Sequence, residues 1–389
     1  MKSSLFCLLL GLVFLSSCGG STEPTSEKEY SYFVTKLGND TLALERFKIS
    51  GDTVIAHVLL RSPSSSLSSY RLELDPQDGV DNLLQFKPTK PDLETEASRI
   101  DQRIYIKEDS LYHEIRGRNG WRKFSMLNQK GALPFIDMVH WPFDLAFQAA
   151  AKVREDSIHQ MLVTGRRLSD FIIYKVREDS FTLRHPSRGV MGATVDPEGR
   201  LIKLDAGLTT RKLVVEAVYD MDFESMAADF LERDKNGSPF GALSGAVQQD
   251  FAFGGSEFSV SYGSPLKRGR QIFGGIVPYG KRWRTGANRA AHFSTSKPLS
   301  IGKVQVPAGE YTLFSIPEAN GGTLIINKQT GQNGRSYDEA RDLARVPMTR
   351  STQEEVTESF TIQVVENGEG GSIQLIWDQT VYSVDFSFD

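Results

Sequence analysis

From Tyr30 onward the chain alternates apolar and polar residues with a period of two, interrupted at short intervals by Gly, Asn, Asp, Pro and Ser. That period sends successive side chains to opposite faces of a strand, so it restricts most of these 389 residues to antiparallel β-structure. Residues 31–37 and 41–49 flank Gly38-Asn39-Asp40, which predicts a hairpin. A short echo recurs as IKEDSLYHEI from Ile106, VREDSIHQML from Val153 and VREDSFTLRH from Val176. Its offsets of 47 and 23 residues are too irregular for a solenoid. Asp and Ser side chains bond nearby backbone, so each Glu-Asp-Ser cluster reads as a hairpin tip.

Two helices interrupt the strands. Pro142 suits a first helical position ahead of the alanine-rich 143–151, and Asp222 suits an N-cap for a helix carrying Phe223, Met226 and Phe230 on one stripe. Residues 234–248 are rich in Gly and lack a long apolar run, which makes them the expected linker between a domain at 30–233 and another at 249–389. The second has the cleaner alternation: Phe258, Val260 and Tyr262, then Phe360, Ile362 and Val364, then Tyr382, Val384, Phe386 and Phe388. Some eight short strands predict a β-sandwich or jelly roll, with one helical turn at 336–344 capped by Ser336. The expected fold class is therefore mainly β: an antiparallel N-terminal domain, in one form an open half-barrel, followed by a C-terminal sandwich.

The amino terminus points to the cell envelope. Lys2 precedes an apolar run of 11 residues at 5–15, too short to span a bilayer. Leu15-Ser16-Ser17-Cys18 then resembles the lipobox of bacterial lipoproteins. The resemblance implies a signal peptide at 1–17, lipidation of Cys18 and membrane attachment through that anchor, on the periplasmic or cell-surface side of the outer membrane; an ordinary secretory signal is the alternative. Residues 18–29 read as a flexible tether. Cys7 and Cys18 are the only cysteines, so the folded part has no disulfide, thiolate metal site or cysteine nucleophile.

Composition brings in one further constraint. A net charge of −4 is too mild to announce a nucleic-acid binder, and no nucleic acid is expected as a partner. Yet between Glu257 and Glu310 there are nine basic residues and no acidic one. Within that span lies Pro278-Tyr279-Gly280-Lys281-Arg282-Trp283-Arg284-Thr285-Gly286-Ala287-Asn288-Arg289. This run resembles domain-of-unknown-function family 2911, found in bacterial secreted proteins and lipoproteins. Ser264-Pro265 with Gly269-Arg270, the stretch from Pro307 to Pro317, and Asp342, Arg345 and Val346 continue the resemblance over about 140 residues. Gly322 and Asn333 stand where tryptophans are expected in such relatives. The family implies no activity.

The residues themselves suggest chemistry. Arg284 offers a planar fork for a carboxylate, phosphate or sulfate, and Asn288 offers an amide. Trp283 and Tyr279 could stack on a sugar or base, while Arg270 and Arg289 add charge. The competing reading is a structural corner, with Trp283 in the core and Arg284 paired with a buried acid. Enzyme motifs are poor: Ser-x-x-Lys occurs at 264–267, 294–297 and 300–303 at chance level, and there is no GxSxG, HExxH or P-loop. Of six scattered histidines only His292 is a catalytic candidate, and no metal or cofactor is expected. Three readings remain: a non-catalytic lipoprotein binding an anionic small molecule, glycan, lipid headgroup or protein; an envelope hydrolase using His292 with a carboxylate; and a lipid carrier or assembly factor built on the N-terminal domain.

Overall fold

The computed structural model describes residues 30–75, 79–86, 100–237, 239–368 and 370–388. Cys18, the expected signal peptide and the tether lie outside the described residues. Fifteen strands of the first domain form one sheet. One wing begins at Ser31–Leu37 and steps outward in chain order, through Asp40–Ser50, Thr53–Leu60 and Ser66–Asp75, to Gly120–Leu127. On the other side of Ser31–Leu37 lies Val214–Val218, from which the second wing runs outward in reverse chain order to Leu133–Pro134. Every pairing is antiparallel except that of Leu133–Pro134 with Ser157–Val163. The expected hairpin is present, with Gly38 at φ 63° in its turn, where only glycine is unstrained.

The sheet curls without closing into a barrel. Leu133–Pro134 comes against Gly79–Phe86, and His113 Nδ1 lies 2.6 Å from the Gly165 carbonyl oxygen, tying the two wings together. The helix α1, Trp141–Lys152, fills the concavity. Its Trp141 meets Tyr70 of one wing, while Phe143 and Phe147 meet Phe171 and Phe181 of the other. The helix start carries no side-chain cap of its own. Glu45, fully buried on Asp40–Ser50, supplies it: its carboxyl accepts from the backbone N–H of His140 at 2.9 Å and of Trp141 at 3.1 Å, and lies 2.9 Å from His140 Nδ1. Those are two of the donors a helix terminus leaves unpaired.

A second helix, α2 (Phe223–Lys235), covers the outer face of the same strand, where Leu44, Leu59 and Leu67 meet Phe223 and Ala227. Asp222 caps it through Ser225 N–H at 3.0 Å, as expected, but Met226 is exposed and Ala227 takes the place in the packed stripe. Two of the three Glu-Asp-Ser echoes are hairpin tips, before Ser110–Gly117 and Ser180–His185. The middle one is not. It connects α1 to Ser157–Val163, because the helix, not a strand, precedes it.

The second sheet begins at Ser244–Phe253, so residues 234–248 include the end of α2 and half of an edge strand. Its nine strands are not all short: Asp342–Asn367 and Gly370–Phe388 are 26 and 19 residues long. Asp342–Asn367 pairs with Gly321–Asn327 through its first part, and beyond it with Gly370–Phe388, with register breaks between Thr352 and Thr361. That strand thereby joins the two halves of the sheet, whose inner faces meet in a core containing Phe258, Phe293, Phe360, Trp377 and Phe386. The helical turn near residue 340 is the 3-10 segment Glu339–Arg341, capped by Asp338; Ser336 instead belongs to a turn held by Asn333 Oδ1.

The domains meet where the Gly38-Asn39 turn docks on the loop 267–270. Asn39 N–H donates to the Arg268 carbonyl at 3.0 Å, and a Cβ on Gly38 would fall 1.9 Å from that oxygen. Buried Arg268 bonds Asp40 at 2.5 Å and the Phe240 carbonyl at 2.7 Å, and its guanidinium lies 3.8 Å from the Phe240 ring centroid.

Candidate functional site

The run from Pro278 to Arg289 is locked through its backbone. Trp283 and Ser315 exchange two backbone hydrogen bonds of 2.7 and 2.9 Å, and the buried Thr285 hydroxyl donates to Ser315 Oγ at 2.9 Å. Ala287 N–H reaches the Gly263 carbonyl at 2.9 Å, and a side chain on Gly286 would clash with that same oxygen. Trp283 stacks on Trp377 at 6.1 Å and meets Phe360 edge-on at 4.8 Å. To this extent the run is a structural corner.

Arg284 departs from that picture. No carboxylate pairs with it among the described residues; its one hydrogen bond is a long one, 3.4 Å, to the Asn288 carbonyl. It lies against Gly334, where a Cβ would approach its Cδ to 2.4 Å. Burial, and then the charge of Arg335, lower its pKa from the ordinary arginine value. A half-buried guanidinium short of acceptors, facing a second one, is costly for the free protein and suited to an anion.

Arg284 lines a cleft of about 760 Å³ between the two domains. Trp283, Asn288 and Arg270 line it too, as do Trp377, Ile276 and Val277. Arg270 is held by the carbonyls of Leu266 and Lys267 rather than by an acid. Asn288, at φ 63°, donates to Ser244 Oγ at 2.8 Å. The opposite wall belongs to the N-terminal domain: Arg188, Arg211 and Lys212. Asp137 holds both arginines, bonding Arg188 at 2.5 Å and Arg211 through its other oxygen. Burial alone would raise the Asp137 pKa, but the two guanidiniums outweigh it and hold it low. Burial, then Arg270 across the cleft, lower the Lys212 pKa.

Other predicted site residues go elsewhere. Tyr279 and Arg289 are exposed and do not line the cleft; Tyr279 lies over Gly274. Lys267 and Arg268 are spent on Asp378 and Asp40. His292 stands on Ala291–Thr295 with Nδ1 3.2 Å from Thr312 Oγ1. Because Thr312 gives its hydroxyl proton to the Gln329 carbonyl at 2.6 Å, Nδ1 is the donor in that contact. Burial, then Arg289, lower its pKa, and no carboxylate bonds it among the described residues. Among those residues no three His, Cys, Asp or Glu side chains come together as a metal site. Sequence reasoning missed Arg188, Arg211, Lys212 and Arg335, and no local pattern marks them: the docking of the domains places the first three on the wall opposite Arg284, and the folding of the C-terminal domain brings Arg335 to its own wall.

No curated protein matches the chain. Residues 244–386 match the protein-family model described as Protein of unknown function (DUF2911), so the C-terminal domain, cleft-facing run included, has the pattern of that family, while the first domain lies outside the match.

Proposed function

We propose that the protein is a lipid-anchored binding protein of the bacterial envelope that holds an anionic ligand in the cleft between its domains. The observation that carries this reading is Arg284: a half-buried guanidinium facing a large cleft, without a carboxylate partner among the described residues, and pressed by Arg335. A cleft of about 760 Å³ has the size of pockets that enclose small organic ligands, which run to roughly 300–1,000 Å³. The envelope placement rests on Leu15-Ser16-Ser17-Cys18. The carrier reading has less support, since α1 fills the concave face and the cavity beside it holds only about 30 Å³. The hydrolase reading lacks, among the described residues, a carboxylate bonded to His292.

The test is titration calorimetry of the full mature chain with heparin fragments and with inorganic phosphate. Wild type is expected to bind at least one of them, and Arg284→Gln to weaken that binding at least tenfold with an unchanged melting temperature. Equal binding by both proteins would remove the cleft from consideration.

A further inference from the structure

Arg284 was legible as a candidate, but the cleft has two walls, and the second is supplied by a domain outside the family match. On the C-terminal wall stand Arg284 and Arg335, both lining the cleft, and the charge of Arg335 bears on Arg284. Arg335 is exposed, and its side chain makes no hydrogen bond or ion pair among the described residues. On the N-terminal wall, Asp137 splays Arg188 and Arg211 from its two oxygens, so one carboxylate positions two guanidiniums and neutralises only one of them. Arg211 keeps a buried Nε without a partner among the described residues. Like charges also face each other across the domain boundary, Lys212 toward Arg270. The domains are pinned together at the Arg268–Asp40 rim, yet inside the cleft their charges repel.

Resting on the reading above, we propose that the ligand is an acidic oligosaccharide carrying at least two anionic groups, one taken by Arg284 and Arg335 and another by Arg211 and Lys212, so that it bridges the domains. One anion cannot neutralise both walls, whereas a chain with two binds the second wall intramolecularly once the first is engaged. Sugar rings suit the rest of the lining. Trp283 with Ile276 offers apolar surface to the C–H face of a pyranose, and Asn288 and Thr210 offer groups that both donate and accept, matching ring hydroxyls. A polyphosphate has neither an apolar face nor donors to use them.

The experiment is calorimetric titration of the full mature chain with galacturonate, tetragalacturonate and tripolyphosphate, for wild type, Arg284→Gln, Arg335→Gln, Arg211→Gln and Lys212→Gln. Tetragalacturonate is expected to bind at least tenfold tighter than the monomer or tripolyphosphate. Arg335→Gln and Lys212→Gln, each on a different wall, should each weaken it at least fivefold. Neither residue holds an acid, so their melting temperatures should match wild type, and Lys212→Gln reports the N-terminal wall even if Arg211→Gln unfolds after freeing Asp137. Loss of binding in Arg284→Gln with none in Lys212→Gln would overturn the bridge while leaving the anion site standing. Equal affinity for monomer and tetramer, or preference for tripolyphosphate, would overturn it as well. Binding of no anion by wild type would overturn both readings.

Discussion

Arg284 and Glu45 are half-buried and fully buried polar residues with opposite partner sets, and they should respond oppositely to substitution. Arg284 has no carboxylate to lose, so Arg284→Lys should shift stability by less than about 1 kcal/mol, while losing the planar fork should weaken anion binding; thermal melts and titration separate the two. Glu45→Ala leaves the His140 and Trp141 backbone donors buried without an acceptor and His140 Nδ1 with only the Thr35 hydroxyl, and should cost at least about 3 kcal/mol in urea unfolding. Glu45→Gln keeps an acceptor oxygen and should cost less. The role of Glu45 is not visible locally, since it caps a helix 95 residues away. Asp144 gives the pH dependence. It is buried in the first turn of α1, and burial raises its pKa from 3.8 to about 6, against hydrogen bonds from Leu201 N–H and Gln148. Between those values the folded state holds a proton the unfolded state has lost, so this group makes stability fall as pH rises from about 4 to 6 and leaves a constant penalty above. Asp144→Asn should remove that slope and gain up to about 3 kcal/mol at pH 7, read by urea unfolding at pH 4 and pH 7.

At the scale of elements, alternation and turn chemistry went far. The first hairpin, the Asp222 cap and the inward-facing residues of the C-terminal strands lie where the pattern puts them. The failures share a cause: a local pattern cannot say which element comes before it. The echo at Val153 has the same turn chemistry as its sisters, yet follows a helix. The segment at 244–248 looks like linker because it is small and polar, yet it forms five ladder pairs with residues 261–265. A fragment beginning at Ser244 should therefore melt cooperatively, and one beginning at Gln249 should melt lower, having lost half of an edge strand. Equal melting temperatures by circular dichroism would show that those pairs contribute nothing. Phe240, by contrast, belongs to the N-terminal core, so both fragments properly omit it.

At the scale of the molecule, the basic span between residues 258 and 309 does not stay together. Its members divide among a domain junction, an ion pair, exposed surface and one wall of the cleft. The cleft gains its charge from four arginines and a lysine that lie on two domains, in addition to Arg284. Binding there should weaken with salt as screening shortens, and raising sodium chloride from 50 to 500 mM in the heparin titration should reduce affinity more than tenfold. The sequence by itself determined the β class, the two-domain plan, the family pattern of the C-terminal part and Arg284 as the residue to watch, because period-two alternation, turn residues and an acid-free basic run are local properties of a chain. Only the tertiary structure decided that α1 fills the curled sheet, that Glu45 caps it, and that Arg188, Arg211 and Lys212 face Arg284 and Arg335. Those depend on contacts between residues some 70 to 150 positions apart, set by how two curved sheets dock, and no local period encodes that.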